Sequence, residues 1–261
     1  MFKSFNIKYP EYEVVTPQTH LTFLVRSINV AEEERMKGSF MSPQKITEHL
    51  NKIIFESITD KPAHIKTFED FKQGITIKDR DALLFGLYHI SYEEIRNYDI
   101  TCTSCQHKYP VTVKASDTLA TEPYPAEDIL AKEVAVELPM AKGVTAYIKQ
   151  PTLANEMEIL QRQAVLSPNV ELLTQAMAIT KFEQDIEDQK EPDVYDDKVD
   201  IVSAFQTLTS RDKRAINDAY FENFGKYQIE MKVNVTCSAC GHNEVVGVDL
   251  VENFFRMVYG V

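Results

Sequence analysis

The sequence is poor in the residues from which phosphate-binding loops and nucleophile elbows are built. Only 8 of its 261 residues are glycine, none is tryptophan, and neither a Gly-rich phosphate loop nor a G-x-S-x-G motif is present. We find no catalytic constellation and predict that the protein is not an enzyme. Basic residues are also few, since the chain has 28 Lys and Arg but 40 Asp and Glu, which gives a formal charge of −12. This balance disfavours binding to nucleic-acid phosphates, which requires a basic surface.

Long apolar runs are missing as well. No stretch approaches the roughly 20 apolar residues that span a bilayer. Residues 1–15 lack the apolar run and the cleavage site of a signal peptide. We therefore expect no membrane association, and we expect the chain to stay in the cytoplasm where it is made. Apolar residues nevertheless make up 44% of the chain, which is enough to build a packed core.

The four cysteines form two C-x-x-C pairs with matching surroundings. Segments 101–113 (TCTSCQHKYPVTV) and 236–248 (TCSACGHNEVVGV) both follow the pattern T-C-x-x-C-x-H-x-x-x-V-x-V. One C-x-x-C turn, here called a knuckle, supplies half of a tetrahedral zinc shell, and cytoplasmic thiols stay reduced. We therefore predict that the two knuckles bind one structural Zn²⁺ together as a four-cysteine zinc ribbon. The predicted ligands are Cys102, Cys105, Cys237 and Cys240.

Three other interpretations of the cysteine pairs are open at this point. The thiols could be buried and free, or they could form redox pairs, which usually need a helix N-terminus to lower the thiol pKa. His107 and His242 could also complete two separate sites of two cysteines and one histidine, although each lies only two residues beyond a cysteine. We interpret both histidines as exposed or as hydrogen-bond donors near the sulfurs.

The matching cysteine segments indicate an internal repeat. In each half a strand-like segment that ends in proline, at residues 5–10 and 134–139, is followed by a second extended segment. We therefore predict an α+β fold of two duplicated units, each made of a hairpin, helices, a strand and a knuckle. The zinc ribbon joins the knuckles, with a mostly helical insertion between them. The predicted units are residues 1–115 and 133–261, and residues 116–132 are the linker.

Helical periodicity places the remaining elements. Thr16-Pro17 and Ser42-Pro43 are typical helix starts, and residues 77–91 form a further helix of the first half. Helices of the second half are predicted over residues 152–165, 168–183, 199–208 and 211–224. A short C-terminal helix would present an apolar stripe, which either docks a partner or packs on the core. The stripe consists of Leu250, Val251, Phe254, Phe255 and Val258.

The order of these elements resembles a family of phage proteins. The chain is similar to the baseplate hub assembly proteins (hub assembly catalyst or hub subunit) of T4-type contractile-tailed bacteriophages. The matching residues are Thr16-Pro17, Ser42-Pro43-Gln44, Thr101-Cys102-x-x-Cys105 and Asp249-Leu250 through Phe254-Phe255. The resemblance covers most of the chain. It implies a non-enzymatic protein that helps to assemble the baseplate hub or forms part of it.

The same resemblance implies partners and locations. Other phage tail and baseplate proteins would be the partners, with self-association as a further option, and the locations would be the host cytoplasm during assembly and the virion tail baseplate. The alternative function is a zinc ribbon that binds nucleic acid or acts as a transcription-type adaptor, and an enzyme with zinc or thiol chemistry is a third. A nucleic-acid module needs a basic face, but only Lys108 and Lys114 flank the first knuckle and Glu244 follows the second.

Overall fold

The computed structural model of the chain combines helices with antiparallel sheets. Its described residues are 8–37, 43–92, 95–114, 119–125, 127–166, 169–187 and 190–248. Within these ranges the strands form four sheets, which agrees with the mixed helix-and-sheet class expected from the sequence. No helix in the described ranges is long and apolar enough to cross a membrane. The predicted C-terminal apolar stripe lies outside the described residues.

The first half contains a three-stranded sheet, a layer of helices and a separate hairpin. Strands β1, β2 and β3 are antiparallel neighbours in that order, and β4 pairs with β5 alone. The predicted helices at Ser42-Pro43 and at residues 77–91 are present as α2 and α4. The elements are β1 (Glu11–Val15), β2 (Thr22–Arg26), α1 (Val30–Lys37), α2 (Pro43–Ser57), β3 (Ile58–Asp60), α3 (Phe68–Gly74), α4 (Ile77–Tyr92), β4 (Ile95–Thr101) and β5 (Lys108–Lys114).

The helix predicted to begin at Thr16-Pro17 is wrong. These residues lie in the loop of the β1–β2 hairpin, and the following apolar residues form β2. Phe23 and Val25 are fully buried while the residues between and beside them are not, a period of two that is typical of a strand. The first hairpin strand is therefore Glu11–Val15, and described residues 8–10 are not in a strand.

The second half contains a four-stranded sheet, helices and a three-stranded sheet. The strand orders are β10-β9-β8-β7 and β12-β11-β6, all antiparallel. The elements are β6 (Leu119–Thr121), β7 (Val134–Glu137), β8 (Val144–Ile148), α5 (Leu153–Leu166), α6 (Val170–Ala176), β9 (Ile179–Gln184), β10 (Asp193–Tyr195), α7 (Lys198–Thr207), α8 (Ser210–Tyr220), a turn of π-helix (Phe221–Gly225), β11 (Ile229–Thr236) and β12 (Asn243–Val248).

The helix predicted over residues 168–183 is only half right. Its first part forms α6, but the chain then becomes strand β9 and pairs with both β8 and β10. Ile179 and Phe182 point their side chains into the second core. The sheet offers β9 a backbone partner on each side, so tertiary pairing overrides the helical periodicity.

Two apolar cores lie side by side and share their boundary. The first core is built from the β1–β3 sheet and α2 to α4, but it also includes Leu153 of α5. Gly86 lets α4 approach that sheet, because a Cβ there would overlap Val14. The second core includes Tyr124 and Ile129 from the predicted linker, both nearly fully buried. The division at residues 115 and 132 stays a prediction.

The two halves have a similar order of elements, although strand β10 of the second half has no counterpart in the first. A hairpin (β1–β2 or β7–β8) is followed by helices, then by a further strand of the same sheet (β3 or β9). More helices follow, ending in α4 or α8, and a hairpin with a knuckle at its tip comes last.

Helices α4 and α8 also begin in the same way. The hydroxyl of Thr76 accepts the N–H of Asp79 (3.1 Å), and the hydroxyl of Thr209 accepts the N–H of Asp212 (3.3 Å). Each aspartate side chain then accepts backbone N–H groups from the hairpin loop of its own half.

Those hairpin-loop donors occupy matching places. Gln18 and Thr19 donate to Asp79 (2.9 and 3.2 Å), and Met140 and Ala141 donate to Asp212 (2.7 and 3.4 Å). In both halves a hydrogen-bonded aspartate therefore fixes the hairpin loop against the start of a long helix.

Candidate metal centre

Each knuckle lies at the tip of an antiparallel hairpin and closes in the same way. Cys102 donates its N–H to the carbonyl of His107 (3.0 Å), and Cys237 donates to the carbonyl of His242 (2.8 Å). The residue after the second cysteine is left-handed in both turns, at Gln106 (φ 61°) and Gly241 (φ 71°). The short turn directs both thiols of a pair to one side, as a metal-binding knuckle requires.

The two knuckles meet, so all four sulfurs gather in one cluster. The four Sγ atoms lie within 4.8 Å of one another. The Sγ atoms of Cys102 and Cys240 are 3.7 Å apart, and so are those of Cys105 and Cys237. A tetrahedron with Zn–S bonds of about 2.3 Å has S–S edges of about 3.8 Å, whereas a disulfide is about 2.05 Å long. The spacing therefore fits a metal-binding tetrad of free thiols.

The cluster looks the same when the two knuckles are exchanged. Replacing Cys102 by Cys237 and Cys105 by Cys240 turns one 3.7 Å pair into the other. Burial follows the same exchange, because the first cysteine of each knuckle is buried and the second is exposed. Both knuckles therefore contribute equivalently to the site.

Backbone hydrogen bonds lower the pKa values of Cys105 and Cys237, whereas burial raises both and neighbouring thiols raise that of Cys105. Burial raises the pKa of Cys237, but the backbone N–H groups of Cys240 and Ala239 outweigh this effect and lower that pKa to about 7. The N–H of His107 lowers the pKa of Cys105, yet neighbouring thiols, Cys240 first, raise it to about 12. Cys237 therefore loses its proton readily, whereas the neighbouring thiols make ionisation of Cys105 unfavourable. A bound divalent cation would stabilise both thiolates.

Few apolar groups surround the sulfurs. Tyr109 packs against Cys102 and Cys237, and Ile100 and Val111 are only partly buried beside them. Across the knuckles, the Thr103 hydroxyl donates to Glu244 Oε2 (2.8 Å). This hydrogen bond joins the first knuckle to the strand after the second, which sequence analysis did not anticipate.

The two histidines take part through their backbones. Both side chains are exposed, and the ring of His107 stacks on that of Tyr109 with 6.3 Å between centroids. His242 Nε2 lies 3.4 Å from the Thr103 hydroxyl. The four-ligand group of the described residues contains only the cysteines. All four predicted ligands therefore lie in one cluster.

The matching starts of α4 and α8 were not predicted, although the two segments share a short sequence pattern. Residues 76–82 (TIKDRDA) and 209–215 (TSRDKRA) share Thr, a basic residue, Asp, a second basic residue and Ala. Their offset is 133 residues, the difference between positions 209 and 76. The knuckles are 135 residues apart, so an alignment at the knuckle offset passes over the match.

Comparisons with known proteins agree with a phage origin. Neither the curated proteins nor the solved structures give a significant match. One family model, described as T4 bacteriophage base plate protein, matches residues 9–256 and so covers most of the chain. The chain therefore belongs to the T4 bacteriophage base plate protein family.

Proposed function

We propose that this protein is a non-enzymatic component or assembly factor of the baseplate hub and acts through contacts with other tail proteins. The observation that supports this function is the family match over residues 9–256. A baseplate family suggests a structural or assembly role and a place in the virion tail. The acidic, glycine-poor composition is consistent with that role, since it offers neither a phosphate-binding loop nor a broad basic surface.

The four cysteines hold one Zn²⁺ in this proposal. Cys102 and Cys105 from one hairpin and Cys237 and Cys240 from the other form a closed four-thiolate shell. Such a shell leaves no position for water, so the metal supplies structure and no chemistry. The sulfur spacing and the absence of disulfides among the four support this assignment.

We further propose that the chain is an internal duplication. The common order of elements, the exchangeable knuckles and the paired aspartates Asp79 and Asp212 support it. The duplicated units correspond to residues 1–115 and 133–261, with residues 116–132 between them. The helix starts are the stronger support, because the match combines sequence with the same tertiary hydrogen bonds.

The metal is not the only connection between the halves. Gln18 donates its side-chain amide to the carbonyl of Phe224 (3.0 Å), and Arg80 forms an ion pair with Glu156. These contacts are formed by residues outside the knuckles and are buried or nearly so. Zinc therefore has the narrower role of ordering the ribbon, while the rest of the interface joins the two halves.

The function is tested by the protein composition of purified particles. We expect this chain in mature tails at a fixed copy number relative to other baseplate proteins, measured by quantitative mass spectrometry. Presence only in assembly intermediates would assign the assembly-factor role. Tails that form normally without the gene and never contain its product would contradict the proposal.

The metal assignment is tested separately by elemental analysis of the purified chain. We expect one zinc atom per chain and its loss in Cys105→Ser and Cys240→Ser, because three thiolates do not close the shell. The matched control is Ser104→Ala, which changes an exposed residue of the same knuckle and should retain the zinc. Two zinc atoms, or none with four titratable thiols, would refute the four-cysteine site.

A further inference from the structure

The start of α4 is covered by the second half of the chain, whereas the described residues leave the matching start of α8 open. Around α4, a backbone bridge, a backbone hydrogen bond, a side-chain hydrogen bond and an ion pair cross between the halves. These contacts join Thr76 to Thr152, Ile77 to Pro151, Lys78 to Gln228 and Arg80 to Glu156. Both basic residues of this turn therefore have partners in the second half.

The hairpin loop beside α4 is covered in the same way. The carbonyl of Pro17 accepts the N–H of Tyr124 (2.7 Å), and the side chain of Gln18 bonds to the carbonyl of Phe224 (3.0 Å). Pro17 and Gln18 are buried as a result. The loop that Asp79 fixes thus accepts a hydrogen bond from one neighbouring aromatic residue, Tyr124, and donates one to another, Phe224.

The counterpart in the second half has a proline and two basic residues at the matching places, with a methionine instead of the glutamine, and its loop is not covered by the described residues. Pro139 and Met140 stand where Pro17 and Gln18 stand, and both are exposed, Met140 to 49%. Arg211 and Lys213 stand where Lys78 and Arg80 stand. Neither forms an ion pair within the described part of the chain.

Charge adds to the contrast. Exposed Lys142 and Arg214 lie next to the same turn in sequence, so the loop and the start of α8 together carry four cations and an exposed methionine on a chain whose net charge is −12. Asp212, which is buried and hydrogen-bonded to the loop, offsets one of these four charges and leaves a local excess of cations. A surface with an apolar centre and a basic rim is complementary to an acidic segment that carries an apolar residue.

We propose that residues 138–142 and the first turn of α8 form a docking surface for an acidic segment of another baseplate protein. An apolar, preferably aromatic, side chain of the partner packs on Met140. Carboxylates pair with Arg211 and Lys213, as Glu156 pairs with Arg80 inside the chain. The partner's backbone donates to the carbonyl of Pro139, as Tyr124 does to Pro17. This inference rests on the proposed baseplate function and identifies where that function recruits a partner.

A second copy of this chain does not fit as the occupant. The groups that would match the surface, including Glu156, Phe224 and Tyr124, already contact the first half of their own chain. A second copy could present them only by opening its own buried interface. A different protein with a free acidic segment avoids that cost.

A photo-crosslinker at the centre of the surface tests the proposal. Met140→p-benzoylphenylalanine is introduced into the full chain and illuminated during phage assembly. We expect a crosslink to another tail protein, mapped by mass spectrometry to a peptide that contains Asp or Glu. Adding Arg211→Glu and Lys213→Glu should lower the crosslink yield about tenfold, because the rim then repels the partner.

Two controls separate this result from a general surface effect. The crosslinker at Val194, which is 51% exposed on β10 at the opposite edge of the sheet from β7, should not capture the same peptide. The pair Lys45→Glu and Lys190→Glu makes the same change of charge at exposed positions elsewhere and should leave the Met140 crosslink unchanged. Unchanged circular dichroism and zinc content show that each variant is folded.

The possible outcomes distinguish failure of the proposed docking surface from failure of the proposed baseplate function. A crosslink to a second copy, a yield insensitive to the charge reversal, or no crosslink from protein present in particles at its normal copy number would each overturn the docking surface alone. Absence of the unmodified protein from both particles and assembly intermediates would overturn the surface together with the proposed function.

Discussion

At the scale of single residues, the two knuckles differ in one strained position. Gln106 has a left-handed backbone (φ 61°), whereas Gly241 occupies the matching place in the second knuckle. A side chain in this conformation costs about 1 kcal/mol relative to glycine. The Gln106 side chain recovers little of that cost, since the hydrogen bond that its amide donates to the carbonyl of Thr103 is long, at 3.4 Å.

We therefore predict that Gln106→Gly stabilises the zinc-bound ribbon by about 1 kcal/mol. Competition with a calibrated chelator measures the change as tighter zinc retention. The reciprocal variant, Gly241→Gln, has open space for its Cβ but the same backbone penalty, so it should weaken retention by a similar amount. Equal retention in both variants would show that the turns are not strained.

A second prediction concerns the paired aspartates, which titrate in opposite directions. Burial between the two halves raises the pKa of Asp79 above its ordinary value of 3.8. Burial also acts to raise the pKa of Asp212, but the Thr209 hydroxyl and the backbone N–H of Met140 outweigh it and lower that pKa. The two aspartates therefore have the same structural role but opposite effects on how the free energy of unfolding depends on pH.

The direction in which each aspartate changes stability with pH follows from the difference between its pKa values in the folded and unfolded states. The contribution of Asp79 to stability is greatest below pH 3.8 and is lost as the pH rises through its raised pKa. The contribution of Asp212 is present above pH 3.8 and is lost as the pH falls through its lowered pKa. Relative to the unsubstituted protein, Asp79→Asn should therefore gain stability with rising pH, and Asp212→Asn should lose it.

Urea unfolding of the three proteins, from about pH 3 to about pH 7, checks this pair of signs. Subtracting the profile of the unsubstituted protein removes the shared contribution of the zinc thiolates. Parallel profiles for the two variants would show that the surroundings of Asp79 and Asp212 do not differ as described.

At the scale of elements, the ribbon of β4, β5, β11 and β12 has a very small interior of its own. Its own core consists of two cysteines and Tyr109, with two partly buried neighbours, whereas the two main cores are far larger. Two-stranded hairpins are at best marginally stable in water. In the proposed zinc-bound state, metal binding would therefore provide most of the free energy that folds the tips of these hairpins.

We predict that chelation of zinc unfolds the ribbon and leaves the helices folded. Hydrogen exchange should accelerate in residues 97–112 and 232–247 and stay slow in α4 and α8. The helical circular dichroism signal should change little. Loss of that signal on chelation would instead show that the metal supports the whole fold.

The elements also show what sequence can and cannot predict. The clustering of the four cysteines was predictable because a tetrahedral metal shell demands two C-x-x-C turns, a local pattern. Helix α4 was predictable from its continuous apolar face. Strands β2 and β9 were not, because each is stabilised by pairing with strands distant in sequence. The docking loop at Met140 was missed because its meaning comes only from comparison with the buried loop at Gln18.

At the scale of the whole molecule, the halves share an interface that buries charge. The side chains of Arg80 and Glu156 are only 9% and 14% exposed. A buried ion pair contributes little net stability, but removing Arg80 leaves Glu156 buried and uncompensated, and removing Glu156 leaves Arg80 with only the longer contact to Asp81 (3.6 Å). Leu153, one helical turn before Glu156 on α5, is part of the first core, so the pair lies where the two cores meet.

We therefore predict that Arg80→Met and Glu156→Leu each destabilise the chain by about 3 kcal/mol. The double variant should recover much of this loss, because two apolar side chains replace the pair without leaving a charge behind. Urea unfolding of the four proteins gives the coupling energy. The matched control is Lys37→Met, which breaks the exposed ion pair with Glu34 and should cost at most about 0.5 kcal/mol. Additive losses in the double variant would mean that Arg80 and Glu156 stabilise the interface separately, and the two halves would then be joined by packing rather than by their shared charges.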